Sequence, residues 1–310
     1  MSSLQRSVRL PSSEALESEL PPGRAAKRPP AWWKSLVEDK LALVAVIYLI
    51  VLVAAAVLAP VVAPFDPAAQ SLLMRNQPPM SAPEDGGRVS HLLGTDFLGR
   101  DQLSRMLYGA RVSLLVATFG VVISGVVGTT IGLISGYHRG LLDDVIMRIV
   151  DLQMSLPILL IALLVLYVLG SGLWNLVLVL AVTRWVIYAR VARGVVLADR
   201  EQVYIEAARS SGASTNRIII RHLLPNLIPT LMVLATLEAA SLMLAEATLS
   251  FLGLGLPLAE PSWGQMLATG RPYITTAWWL VAFPGLAILF TVLSLNLVGN
   301  WARRYLDPLS

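Results

Sequence analysis

The 310-residue chain contains no cysteine, which excludes a disulfide framework, a thiolate zinc site, a lipobox-type anchor and a thiol nucleophile. Charge is also scarce: 14% of the residues are Asp, Glu, Lys or Arg, against about 25% in an ordinary soluble domain. Lysine occurs three times and never in a GxxxxGK[ST] phosphate loop, so the chain is not a self-powered pump. His91, His138 and His222 fall in separate segments, and there is no HExxH, GxSxG or paired-aspartate metal motif; a membrane enzyme would need such a clustered set. No internal repeat with breaks at matching positions runs through the apolar segments, which argues against a stand-alone secondary transporter.

What the chain has in surplus is apolar residues, 55% of the total, with a mean hydropathy of +0.67. A soluble single-core enzyme and general disorder are both excluded by that figure. At roughly 20 apolar residues per crossing, six clusters predict spans at about 41–63, 112–134, 149–169, 174–193, 225–250 and 278–299. The expected fold is an all-α integral membrane protein of six transmembrane helices. Net charge is +4 with a pI near 9.6, a basic balance that in a membrane chain reports orientation rather than nucleic-acid binding. With both termini placed inside, 17 of the 24 basic residues lie on the cytoplasmic side, six lie outside and Arg184 lies in mid-span. That asymmetry predicts cytoplasmic termini.

Residues 1–35 are rich in Ser, Pro and charge and read as a disordered cytoplasmic tail, leaving 36–310 as the permeating domain. The first apolar run begins at Leu41 and is long enough to span, so it reads as a retained anchor rather than a signal peptide. Trp32-Trp33-Lys34 ahead of it suit an interfacial belt or are a chance aromatic pair. Pro60 and Pro64 are expected to end that helix. The polar segment 65–111, with Pro78-Pro79 and Gly86-Gly87, reads as an extracytoplasmic loop holding a short amphipathic helix near 101–110. Later outer loops are expected at 170–173 and 254–277, and inner ones at 135–148 and 194–224.

Gly120, Ser124, Gly128, Gly132 and Gly136 place a small residue at every fourth position of the second span. Such a ridge lets another helix approach closely, so this span is expected at the centre of the bundle. Arg184, Glu238 and Glu246 are ionisable groups inside spans, each costing about 2.5–3.5 kcal/mol on insertion scales. Glu238 and Glu246 share one helical face with Leu242 between them. That face looks toward an aqueous path or a neighbouring subunit, or else its carboxylates are structural and bonded to Arg184 or to helix-end amides. Asp151 and Gln153 read as interfacial.

The 194–224 loop is the most informative segment. Val203 to Ser211 are good helix formers, Gly212 suits the left-handed position that stops a helix, and Ser214 suits the cap of the next one. Pro225 falls in the first turn of the fifth span, where a missing N–H costs nothing. Ala207 and Ala208 give a low-relief surface rimmed by Glu206, Arg209 and Arg217. It fits a groove on another protein, or it is an ordinary connecting loop.

Glu206-Ala207-Ala208, Gly212 and Leu224-Pro225 together resemble the EAA loop of ABC importer permeases. Leu93-Gly94-Thr95-Asp96-Phe97-Leu98-Gly99-Arg100-Asp101, followed by Ser104-Arg105 and Tyr108-Gly109-Ala110-Arg111, resembles the C-type permease of dipeptide, oligopeptide and nickel importers. Asp39 to Leu43, Ala63-Pro64-Phe65-Asp66-Pro67, Leu249 to Gly255, Pro261-Ser262-Trp263-Gly264 and Phe283-Pro284-Gly285 extend the likeness over roughly 36–308.

The resemblance implies a six-helix subunit, termini inside, that pairs with a second permease and two cytoplasmic ATP-binding subunits and receives its substrate from an extracytoplasmic binding protein. Peptides are the implied cargo, with nickel or glutathione as alternatives. The subunit is then non-catalytic and binds no cofactor, ATP and magnesium acting on the partner ATPases. It also implies an ATPase-coupling set of Tyr204, Glu206, Ala207, Ala208, Arg209, Gly212, Ala213, Arg217, Leu224 and Pro225. The extracytoplasmic motif is Gly94, Thr95, Asp96, Gly99, Arg100 and Asp101, and Arg184, Glu238 and Glu246 are the candidates for a translocation path. The chain departs from the family pattern at Leu223, where isoleucine is common, at Thr215, where an acid is usual, and at Asn300-Trp301, where Asp-Gly is general.

Overall fold

The computed structural model describes residues 32–82, 90–257 and 260–306. The expected tail over 1–31 and the Gly86-Gly87 turn lie outside the described residues. In chain order the helices are α1 (Trp32–Glu38), α2 (Lys40–Val57), α3 (Ala59–Val62), α4 (Gln102–His138), α5 (Leu141–Ser155), α6 (Ile158–Leu169), α7 (Leu173–Asp199), α8 (Val203–Ser210), α9 (Thr215–Ile218), α10 (Leu224–Phe251), α11 (Trp263–Gly270) and α12 (Trp279–Leu306). Five helical stretches among the described residues are long and apolar enough to cross a membrane, or six if the bent pair α5–α6 counts as one span.

Helix begins at Trp32, so the last residues assigned to the tail, 32–35, belong to α1. Asp39 breaks α1 from α2 and caps α2, accepting the Ala42 N–H at 3.1 Å. That bond, with Arg304 beside it, holds the Asp39 carboxyl below its usual range. Arg304 lies near the end of α12, and one turn earlier Trp301 donates its indole N–H to Ser35 Oγ at 3.3 Å. The two ends of the described chain are thereby fastened together. The first span stops at Val57, earlier than the 63 expected, because Pro60 starts a separate turn, α3.

The second span is much longer than predicted. Residues 102–110 form the first turns of α4 itself, which runs unbroken for 37 residues, about 55 Å at 1.5 Å per residue. Arg105, whose charge sets the short helix expected near 101–110 apart from the span, is 2% exposed and has Asp96 Oδ2 3.6 Å from its Nε. A local reading of polarity cannot see that compensation.

The third cluster is not a straight span either. Leu156 is extended, Pro157 precedes α6, and α5 and α6 meet at 93°. A residue before proline is driven out of the α region, and the proline itself supplies no N–H to the preceding helix. The 12 residues of α6 reach about 18 Å, short of the ~30 Å hydrocarbon core. At the other end, α7 continues as one helix past residue 193 to Asp199.

Gly128, Gly132 and Gly136 of the small-residue ridge lie against α7, the most extensive helix pairing among the described residues, while Gly120 faces Leu242 of α10. A Cβ on Gly128 would sit 2.2 Å from the Trp185 carbonyl oxygen, and one on Gly132 would sit 2.4 Å from that of Ala189. Only glycine lets the backbones come this close. Helix α10 then packs on α4, α7 and α12, and α2 on α4 and α12, so α4 is the hub of the bundle. Segment 254–277, expected as an outer loop, is not wholly loop: it contains α11, whose Trp263 is buried and donates to the Met106 carbonyl at 3.0 Å.

Candidate functional site

At one end of the bundle, Gln202 leads into α8, whose eight residues include a single buried one, Ile205. Ile205 is fully enclosed by a cluster containing Leu133 of α4, Ala192 and Val196 of α7, Ile218 of α9, and Leu223 and Leu227 at the start of α10. The remaining face is open: Val203 is 81% exposed, and Tyr204, Glu206, Ala207 and Arg209 are exposed beside it. Ala208 and Ala213 are half-buried, Arg217 is exposed, Leu224 is half-buried and Pro225 is exposed.

The helix closes in a Schellman arrangement. Gly212 donates to the Arg209 carbonyl at 3.0 Å and Ala213 to that of Ala208 at 3.1 Å, with Gly212 at φ +80°. That conformation favours glycine because it has no Cβ to clash. Helix α8 therefore ends at Ser210, with Ser211 as its cap, one residue short of the predicted bound. Ser214 occupies the N-cap position of α9, but its side chain makes no capping bond. Between α9 and α10 the chain takes a π turn, Ile219–Leu223. Pro225 follows, and the wider turn accommodates a ring that clashes with a regular preceding turn. Asn226 Nδ2 donates to Asp199 Oδ2 at 2.5 Å, tying the start of α10 to the end of α7.

At the far end of α4 the motif expected outside the membrane folds into a buried polar knot. Asp96 accepts the Leu98 N–H at 2.8 Å, the Arg100 N–H at 2.9 Å and Arg100 Nε at 2.7 Å. Asp101 caps α4, accepting both the N–H and the hydroxyl of Ser104 at 2.7 Å, and lies 2.9 Å from His91 Nδ1. Thr95 donates its hydroxyl to the Met74 carbonyl, and its own carbonyl accepts Trp279 Nε1 at 3.2 Å. Gly94 and Gly99 both turn at positive φ, and Ser71 backbone occupies the space a Cβ on Gly99 would need. The knot thus staples segment 71–78 and the start of α12 onto the N-terminus of α4.

Inside the bundle, Arg184 Nη1 of α7 and Glu238 Oε2 of α10 are 3.4 Å apart, their side chains 15% and 8% exposed. Glu246 does not join them. It faces α4 and the end of α10, fully buried, and accepts the Ser113 and Ser250 hydroxyls at 3.1 Å and 2.8 Å. The three groups named for a path are therefore an ion pair and a separate serine-bound carboxyl about 12 Å along α10. The structure brings the residues expected to couple to an ATPase together, brings those of the expected extracytoplasmic motif together, and places the two sets at opposite ends of α4. Sequence reasoning missed Ile205, because its burial depends on partners from four other elements.

Residues 128–309 match the family described as binding-protein-dependent transport system inner membrane component, and residues 31–79 match the N-terminal TM domain of oligopeptide transport permease C. The Di/tripeptide transport system permease protein DppC of Pseudomonas aeruginosa is 42% identical over 277 residues, covering 89% of this chain and 91% of that protein. The Dipeptide transport system permease protein DppC of Haemophilus influenzae is 37% identical over 277 residues, covering 89% of this chain and 93% of that protein. Among solved structures, an inward-facing MetNI methionine ABC transporter shares the fold, with a TM-score of 0.53 and 20% identity over 64% of this chain and 94% of that one. With more than half its length matched by one family and relatives this similar along nearly all of it, the chain belongs to the inner membrane components of binding-protein-dependent transport systems.

Proposed function

We propose that this permease forms, with a second permease subunit, the path by which an ATP-driven importer moves di- and oligopeptides across the inner membrane. Two ATP-binding subunits dock on α8 from the cytoplasm, and an extracytoplasmic binding protein delivers the peptide. The observation that carries the reading is α8 itself: a short helix with one buried side chain, Ile205, and with Tyr204, Glu206, Ala207 and Arg209 exposed at the end of the bundle. An ordinary connecting loop has no need of such a surface. The peptide cargo is supported by the relatives named for di- and tripeptide transport. The chain itself is non-catalytic and takes no cofactor, since ATP and magnesium act on the partner subunits. Arg184, Glu238 and Glu246 belong to or border the path, and both termini lie on the cytoplasmic side with α8.

Affinity purification of the tagged chain from native membranes tests the assembly. A second permease, two copies of ATP-binding subunit and a peptide-type binding protein are expected; a nickel- or glutathione-type binding protein in their place overturns the peptide reading. Purified alone, the chain is expected to hydrolyse no ATP, and solute flux through it in liposomes would instead establish a stand-alone transporter. Because the chain lacks cysteine, single cysteines at the exposed positions Leu72 and Ser214 are expected to label from opposite sides, Ser214→Cys from the cytoplasm.

Gly212→Val tests the docking helix directly. Nothing lies within 4 Å of a Cβ there, so the variant adds no clash, only the strain of a β-branched residue at φ +80°, about 1–2 kcal/mol. Retention of the ATP-binding subunits is expected to fall roughly tenfold while insertion into the membrane stays normal. Glu206→Lys reverses an exposed charge on the same helix without much change in helix propensity and is expected to act in the same direction. Unchanged assembly and transport in both variants would show that α8 is not the docking element.

A further inference from the structure

Tyr137 stands in the last turn of α4, half-buried, packed against the cluster that encloses Ile205. Its ring centroid lies 5.9 Å from Arg200 Cζ and 6.0 Å from Arg209 Cζ, both within range of attraction to the π face. Arg200 Nη1 also donates to the carbonyls of Tyr137 at 2.6 Å and Gly136 at 3.3 Å. These are two of the carbonyls that a helix C-terminus leaves without an internal partner. Just past the helix, Arg139 Nη2 lies 2.6 Å from Glu201 Oε1. Arg200 caps the C-terminus of α7, Glu201 follows it, and Arg209 sits in the last turn of α8. One aromatic ring at the foot of α4 therefore meets both ends of the segment that carries the docking helix.

We propose that Tyr137 is a positioning residue for coupling, its ring holding Arg200 and Arg209 so that any displacement of α8 is delivered to α4. The inference rests on the reading of α8 as the ATPase-docking helix. Ile205 supplies apolar attachment, which is non-directional and leaves the helix free to swivel about one buried side chain. The ring contacts fix its direction. The lever they connect to is a proline-free helix of 37 residues whose opposite end is capped by Asp101 in the extracytoplasmic knot. A shift at the cytoplasmic end thus reaches the segment 71–78 and the start of α12 through one continuous element.

The test uses the assembled transporter in liposomes, with cysteine-free partner subunits, glycyl-leucine as the probe, and spin labels on Ile134→Cys of α4 and Ser210→Cys of α8. In the otherwise unaltered chain the inter-label distance distribution is expected to be narrow. Tyr137→Leu keeps an apolar side chain and removes the π face; it is expected to broaden that distribution and to lower peptide taken up per ATP hydrolysed about fivefold, the worth of two exposed cation–π contacts. Tyr137→Phe keeps the face and is expected to preserve both readings. A narrow distribution and full uptake per ATP in Tyr137→Leu would overturn the proposal, as would a Tyr137→Phe as defective as the leucine variant. An unaltered complex that retains its ATP-binding subunits yet imports no glycyl-leucine would overturn the peptide reading instead, and the label distances would then decide the role of Tyr137.

Discussion

Gly132→Ala is expected to destabilise the bundle by about 2–3 kcal/mol, the upper range for overpacking a well-filled interface. A single methyl group is enough because of what it meets. The new Cβ would lie 2.4 Å from the Ala189 carbonyl oxygen and 2.8 Å from the Ala192 Cβ, and neither can rotate away. Relief requires α7 to move as a body, which withdraws the close contacts along the ridge that hold the two helices together where no hydrophobic drive exists between them. The same movement opens the Ile205 cluster, to which Leu133 of α4 and Ala192 and Val196 of α7 all contribute. Gly125→Ala provides the control, since its Cβ would meet only the Tyr188 ring, at 3.5 Å, an ordinary contact. Unfolding of both variants in detergent is the measurement: Gly125→Ala is expected within about 0.5 kcal/mol of the unaltered chain. Equal stability of the two variants would mean that the α4–α7 approach is looser than the backbone distances require.

The small-residue ridge was legible in the sequence because its signal is local: five positions at one helical spacing mark a face wherever the partner comes from. The six apolar clusters were legible for a similar reason, since crossing a bilayer demands a length of hydrophobic chain that no partner alters. Direction is another matter. Pro157 lies in plain view inside the third cluster, yet an average of hydropathy over 149–169 carries no record of a 93° turn. The start of α4 was misplaced because the charge of Arg105 sets the helix expected near 101–110 apart from the apolar run until Asp96 is known to lie beside it. Gly212 was legible, since a helix-former run followed by glycine specifies the Schellman closure locally. Ile205 and Tyr137, which fasten that helix to the bundle, carry no such mark. Each is an ordinary apolar or aromatic residue whose role arises from side chains on other elements, Leu133, Val196 and Ile218 for Ile205 and Arg200 and Arg209 for Tyr137.

Arg184→Ala is expected to be the most damaging change within the spans, at about 3–5 kcal/mol, because it leaves a buried carboxylate without its partner. Glu238 is 6% exposed and sits opposite Arg184 with 3.4 Å between the charged atoms. Its Oε2 accepts no hydrogen bond among the described residues that could take over the compensation. Replacing both residues together, Arg184→Leu with Glu238→Leu, removes both charges while keeping the volume filled, and substitutions of that kind are commonly neutral or stabilising. Stability and subunit assembly are therefore expected to return in the double variant. Peptide uptake is the discriminating readout. A pair that only braces α7 against α10 would be dispensable once apolar packing replaced it, and transport would recover with the fold. A pair bordering the path offers a carboxylate and a guanidinium to the two charged ends of a passing peptide, which leucines cannot do. The expected result is a stable, fully assembled double variant that hydrolyses ATP and imports glycyl-leucine at least tenfold more slowly, as expected for the loss of one charged contact of roughly 1.5 kcal/mol or more. Uptake at the unaltered rate would remove Arg184 and Glu238 from the path and leave them as a structural ion pair.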